Sequence, residues 1–335
     1  MLGDHKIYIL TSMVIDLKNS DYAAAYYYLP KRMDWGFELY HTARFLYYDR
    51  GLGAGDQLFR YINYGGIVNF SYPVSKFRRI EGGLTVMNVS QENLDDSSEP
   101  IYSNTFAVPS LSFVFDNTLM GYTAPIKGSR YNITTLGTPK IGSDGVQFAS
   151  LIGDFRHYLK FGDDFSLALR FTSGGSFGAN PQRFYLGGTE NWINRDFEHN
   201  NIPISNVEEF AFSSPIMPLR GFNYDVLSGS KYALANIEFR YPLFRYLIFG
   251  LLPIGFQDIR GVAFIDAGTA WTNNDALKLF TNVNGVTQTQ DLLIGTGFGT
   301  RLVFLGFPWK FDVAWNYNFN RFSPPKYYIS LGYDF

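Results

Sequence analysis

The chain alternates. In its last ten residues Tyr327, Ile329, Leu331, Tyr333 and Phe335 fall on one face of an extended strand, while Lys326, Ser330, Gly332 and Asp334, joined by Tyr328, fall on the other. A period of two is the mark of a strand whose two faces meet different surroundings. The split recurs upstream, with Phe311, Val313, Trp315 and Tyr317 against Lys310, Asp312, Asn316 and Asn318, and Leu151, Phe155 and Leu159 against Ser150, Asp154, Arg156 and Lys160. Phe165, Leu167, Leu169 and Phe171 oppose Ser166, Arg170 and Thr172, and Trp35, Phe37 and Leu39 oppose Asp34, Glu38 and Arg44. An apolar outer face with a charged inner one suits a barrel in lipid and is the reverse of a soluble barrel. Composition agrees, because aromatic residues make up 18% of the chain and charged residues only 17%, whereas a soluble domain carries about a quarter charged residues.

A membrane helix needs about twenty mainly apolar residues in a row. The best run, 247–256, is about half that length and contains Gly250 and Pro253. A closed barrel is the other structure that satisfies its own backbone hydrogen bonds in lipid. The fold expected is therefore all-β, a transmembrane antiparallel β-barrel. About fourteen strands are legible, near 5–15, 22–30, 34–48, 57–72, 78–89, 106–117, 127–137, 146–161, 165–175, 231–242, 260–271, 292–304, 308–318 and 326–335. Short connections at 30–33, 73–77, 162–164 and 305–307 alternate with long ones at 90–105, 176–230 and 272–291, as expected if the former are periplasmic. The apolar segment 243–259 breaks this pattern and reads as a long connection lying in the membrane interface. One domain, 1–335, covers everything.

Cysteine is absent, in keeping with passage through an oxidising compartment. A net charge of -2 predicts no nucleic-acid partner. Met1 to Asp16 already alternates and does not read as a signal peptide, so the numbering reads as that of a mature chain or a fragment.

The motifs that could carry chemistry read better as structure. Gly174 to Gly178 fits G-x-S-x-G, but Ala-Asn-Pro-Gln follows instead of the helix that presents a nucleophilic serine. Gly295-Thr-Gly297-Phe-Gly299 lies inside an alternating strand and serves to thin one barrel wall. His5, His41, His157 and His199 have no metal-ligand spacing, and Asp95-Asp96 and Asp163-Asp164 read as solvated loop and turn charges. A rim protease or phospholipase would have to assemble its residues from several loops. The chain is read as a non-enzyme, with no catalytic residue, metal or cofactor assigned.

One pairing is different. Asp266 shares the lumen parity of its strand with Val262, Phe264 and Gly268, and Glu238 shares that of Asn236 and Arg240. Arg220 lies in the longest loop, within Pro218-Leu219-Arg220-Gly221-Phe222. An inward carboxylate in a confined lumen calls for a cation, and a guanidinium can hold it through two parallel hydrogen bonds. The loop is expected to fold back into the barrel and latch Arg220 onto Asp266, with Glu238 as a second acceptor.

Phe184-Tyr-Leu-Gly187-Gly188, Leu219-Arg220-Gly221-Phe222, Asn236-Ile-Glu238-Phe-Arg240-Tyr-Pro242, Phe264-Ile-Asp266-Ala-Gly268 and a final strand closing on Phe335 together resemble the BamA-type outer-membrane assembly barrels, the bacterial surface antigen family. The resemblance covers about the last half of the chain. It implies sixteen strands, a sixth outside loop entering the lumen, and an arginine bound there to the aspartate of the Phe264–Gly268 motif. It also implies that the terminal residues Gly332, Tyr333 and Phe335 belong to a signal read by the assembly machinery. The implied location is the bacterial outer membrane, among lipid and lipopolysaccharide. Unfolded barrel proteins, or a fused or partner periplasmic domain, are the implied partners, and the implied activity is insertion of barrel proteins or translocation of polypeptides. Three departures stand beside it. The strand count is two short, at the amino terminus, so Met1 can be an internal start in a longer protein. No receiving domains precede the barrel, and the insertion Thr189–Leu219 is longer than in the assembly proteins. A membrane anchor for a larger protein and a passive porin are the alternatives.

Overall fold

A computed structural model describes residues 3–14, 16–49, 56–142, 145–198, 204–250, 254–272, 277–283 and 285–335; His199 lies outside them. Fourteen wall strands form one antiparallel sheet in strict sequence order. They are β1 (His5–Ser12), β2 (Asp21–Tyr28), β3 (Asp34–Asp49), β4 (Asp56–Ser75), β5 (Arg78–Asn93), β6 (Tyr102–Asp116) and β7 (Pro125–Thr138), then β8 (Phe148–Phe161), β9 (Phe165–Gly178), β10 (Lys231–Phe249), β11 (Ile254–Trp271), β12 (Leu293–Phe304), β13 (Phe307–Asn316) and β14 (Lys326–Leu331). A two-residue strand, Leu119–Met120, pairs beside β7. The alternation thus locates each wall strand, and the described count is fourteen rather than the sixteen of the resemblance. No helix of the described residues is long and apolar enough to cross a membrane.

Parity sorts the faces as the alternation requires. Phe37, Leu39, Leu151, Phe171, Ile237, Phe239, Ile265 and Phe298 are exposed on the outer surface, an apolar belt with the character of a lipid-facing wall. The inner face is polar where the strands are straight and apolar where the long loop packs on it.

Two boundaries differ from the sequence reading. The segment 243–259 is no irregular connection. After a bulge following Pro242, β10 and β11 keep pairing from Phe244↔Ile259 to Phe249↔Ile254, so the apolar residues extend one hairpin. The last strand ends at Leu331 rather than Phe335, because Gly332 turns the chain at φ +110°, a conformation that glycine adopts without steric cost.

The connection 179–230 fills the interior. Its Phe184–Leu186 strand pairs in parallel with Ser214–Ile216 and antiparallel with Leu227–Gly229. Phe184, Leu186 and Leu219 are wholly buried against the inward residues Tyr232, Leu234 and Ala270. The short helix α1 (Val207–Phe212) starts where Asn206 Oδ1 accepts the Glu209 N–H and the Glu209 carboxylate accepts the Ser205 N–H, a reciprocal cap. It seats Phe212 between Phe106 and Phe148, each with ring centroids 4.8 Å away, and stacks Phe210 on Tyr61 at 4.6 Å. The loop is a folded plug with a core of its own.

Candidate functional site at the lumenal loop

Register, not sequence proximity, assembles the site. Asn236, Asp266, Gly295 and Asn316 lie side by side across β10 to β13, and the next inward row holds Glu238, Phe264, Gly297 and Ala314. The row below carries Arg240, Val262, Gly299, Asp312 and Tyr328. Carboxylates therefore ring a floor made of glycine.

Onto that floor comes the loop tip. Arg220 Nε donates to Asp266 Oδ2 at 2.7 Å and Nη2 to Asp266 Oδ1 at 2.8 Å, while the Arg220 backbone N–H also reaches Oδ2, at 3.0 Å. Nη2 lies 2.8 Å from Glu238 Oε1 as well, and Nη1 lies 3.9 Å from Asp312 Oδ2. The guanidinium carbon sits 3.5 Å above the centre of the Phe264 ring, where the cation meets the negative face of the π system. Arg220 is 1% exposed, Glu238 1% and Asp266 0%. At that depth the charges are tolerable only because they are paired and hydrogen-bonded. Asn236 Nδ2 completes the shell by donating to Asp266 Oδ1 and to Pro218 O, both at 2.8 Å.

The glycines make the approach possible. A Cβ on Gly295 would overlap Arg220 O. Gly297 leaves the space taken by the Phe264 ring, and Gly299 that taken by the Asp312 carboxylate. Gly221 packs on the backbone of Trp315 at φ +96°. Gly268 lies under Leu186. Phe222 is buried among Leu219, Tyr232 and Leu234.

The ion pairs continue towards the carboxy terminus. Arg240 Nη2 donates to Glu238 Oε2 at 2.7 Å, Arg301 Nη1 to Asp312 Oδ1 at 2.7 Å, and Arg301 Nε to Asp334 Oδ2 at 2.8 Å. Burial alone would raise the Asp334 carboxyl, but the cations Arg301, Arg240 and Lys310 hold it down, at about 2. Phe335 follows it inward. Its carbonyl accepts from Arg240 Nη2 at 3.0 Å, and Arg170 and Arg240 lie 5.7 and 5.5 Å from its ring centre. Continued alternation had put Phe335 on the outer face, a placement that the turn at Gly332 reverses. Tyr333 stays exposed.

Parity alone placed Asp266, Glu238 and Asp312 inward. It gave no sign that Arg301 and Asp334 join them, since partners on different strands are set by register. Nor did it single out Tyr328, whose Oη accepts the Gly221 N–H at 2.8 Å and donates to Phe222 O at 2.9 Å. The motif serines fall elsewhere: Ser176 is buried at the end of β9, its Oγ accepting the Gln182 N–H.

An antiparallel barrel with an apolar exterior and a long loop pinned through the lumen by a buried arginine defines a class of outer-membrane barrel. The Omp85 superfamily domain matches residues 19–335, and the chain belongs to that superfamily. Its members are bacterial outer-membrane barrels that work in assembly or transport. No curated protein matches the chain. Among solved structures, BamA from Haemophilus ducreyi lacking POTRA domains 1-3 aligns with 99% of this chain and 64% of its own, at 14% identity and a TM-score of 0.62. CdiB from Escherichia coli aligns with 96% of this chain and 54% of its own, at 12% identity and a TM-score of 0.59. CdiB from Acinetobacter baumannii gives 98%, 53%, 13% and 0.54 for the same quantities. The chain thus spans roughly half to two thirds of the length of these proteins, and at such identities the likeness is one of fold.

Proposed function

We propose that this chain is a bacterial outer-membrane barrel that inserts barrel proteins or translocates polypeptides, closed at rest by the plug formed from residues 179–230. The observation that carries the reading is the seating of the plug. Arg220 is buried among Asp266, Glu238 and Phe264, and the flanking Gly221 and Phe222 are held by Tyr328 of the last strand. A plug tied to the sheet's terminal strand couples the state of the lumen to the state of that strand. The apolar outer belt meets lipid, with lipopolysaccharide on the outer leaflet. Beside the plug an open cavity of about 450 Å³, lined by Tyr27, Asn69, Glu81, Ser110 and Ser112 among others, leaves room for an extended polypeptide against β2 to β6. The unfolded clients and the periplasmic domain that delivers them are the implied partners.

The test is reconstitution of the chain into liposomes of outer-membrane lipid. Addition of an urea-unfolded outer-membrane barrel protein should give faster appearance of its folded, protease-resistant form than empty liposomes give. A parallel set with a translocated substrate should give protease protection inside the vesicle. If neither accelerates and conductance stays low, the reading fails in favour of a membrane anchor. A large, steady conductance in the wild type identifies a porin instead.

A further inference from the structure

The two ends of the sheet order are finished differently. β1 is exposed along its whole length. The free edge of β14 is covered by four residues of the plug loop, Asn191 to Asn194, whose backbone and side chains take every edge group from Tyr327 O to Leu331 O. Asn194 Nδ2 donates to Tyr327 O at 2.9 Å, and Asn194 Oδ1 accepts the Ile329 N–H at 2.9 Å. Ile193 N–H donates to Ile329 O at 2.8 Å, and Asn191 O accepts the Leu331 N–H at 3.4 Å. Asn191 Nδ2 closes the row on Leu331 O at 3.1 Å. An asparagine amide carries one carbonyl and one N–H group in the spacing of a peptide unit, so Asn194 stands in for one residue of a partner strand.

The rest of the segment also behaves as a strand. Trp192 and Ser330 form an antiparallel bridge, with Trp192 turned inward onto Tyr328, ring centroids 4.6 Å apart. Ile193 is 55% exposed, next to the outer-face residues Tyr327 and Ile329. Asn191 makes the turn into this position at φ +52°, a region that asparagine enters more readily than most side chains. The cover ends after Asn194, so it is short enough to leave.

We infer that the edge of β14 is a docking site for an extended polypeptide strand, and that Asn191–Asn194 is its resident occupant, a built-in strand mimic that an incoming strand must displace. An open strand edge templates another chain through its unpaired N–H and C=O groups, and the bonds made by the mimic are those such a strand would make. Because Tyr328 holds both Trp192 and the Gly221–Phe222 turn, displacement of the mimic loosens the plug at the same residue. The inference rests on the proposed function for the identity of the strand, a client polypeptide, and on the geometry alone for the edge.

The chain has no cysteine, so Trp192→Cys with Ser330→Cys introduces a single pair. The bridge is of the non-hydrogen-bonded kind, whose Cα atoms lie about 4.5 Å apart, within the disulfide range. The full chain in detergent is offered a photoreactive peptide of its own last strand, Lys326–Phe335. Labelling of β14 should be absent in the oxidised double variant and return on reduction. It should rise several-fold in Asn194→Ala, in which amide exchange at Ile329 should also quicken. Equal labelling in the oxidised and reduced forms, or exchange at Ile329 unchanged in Asn194→Ala, overturns the inference. If client insertion fails in liposomes while peptide labelling still follows the disulfide, the docking edge stands and only the assembly reading falls.

Discussion

Tyr328 holds Gly221 from across the lumen: the last strand's phenol oxygen accepts the N–H of the loop residue beside Arg220 at 2.8 Å. The same oxygen donates to Phe222 O, so one side chain satisfies two groups of a buried turn. Tyr328→Phe keeps the ring and its contact with Trp192 but leaves that N–H and that carbonyl unpaired. An unsatisfied buried group costs about 1–3 kcal/mol. The plug should become more sensitive to protease while the wall strands keep their exchange protection. Equal cleavage rates in the variant and the wild type would count against the contact.

Arg220→Ala removes the cation shared by Asp266 and Glu238. Stranding buried carboxylates in this way costs about 3–5 kcal/mol, so urea unfolding in detergent should shift to lower urea and single-channel conductance should rise. Arg220→Lys should recover only part of the loss, because an ammonium cannot make the two parallel bonds to Asp266 and also stack on Phe264. Complete rescue by lysine would show that charge alone matters. Adding Asp266→Ala to Arg220→Ala should cost less than the two single losses combined, since residues in contact are not additive.

Gly295 tests the floor of the site. Gly295→Ala puts a methyl group where Arg220 O now sits, and neither backbone can yield far, so the loop tip should lift and conductance should rise as in Arg220→Ala. Gly250→Ala is the control, because nothing lies within 4 Å of its added Cβ. If both alanines behave alike, the close approach of loop to wall has no energetic weight.

These residues mark how far the sequence could be read. Alternation located the strands and the inward parity of Asp266, Glu238, Lys310 and Asp312, because a half-wet barrel wall leaves its faces written in the period of two. It could not show which inward residues meet, since Asp312 reaches Arg301 and Asp334 only through the register of β12 with β13. It overran the last strand, because the parity of Tyr333 and Phe335 continues past Gly332 while the backbone does not. It took the apolar residues of 243–259 for an interfacial connection, because both faces of that hairpin are apolar and the period disappears. Asn191 and Asn194 looked like ordinary loop polarity; their bonds go to backbone groups, which leave no trace in composition.

Asp334 gives the site a pH signature. Its carboxyl is held at about 2, below its ordinary 3.8, so it binds its proton more weakly folded than unfolded. The stability it contributes is fully present above about pH 4 and is lost as pH falls through about 2. A depression of this size corresponds to about 2 kcal/mol. Asp334→Asn should be less stable than the wild type at pH 7 in urea unfolding, and the difference should shrink between pH 4 and pH 2 as the wild-type carboxyl takes up its proton. Arg301 retains Asp312 in the variant, so the loss should stay confined to the carboxy-terminal end, with Phe335 leaving Arg240 and Arg170. A gap between variant and wild type as wide at pH 2 as at pH 7 would show that Asp334 acts through packing and not through its charge.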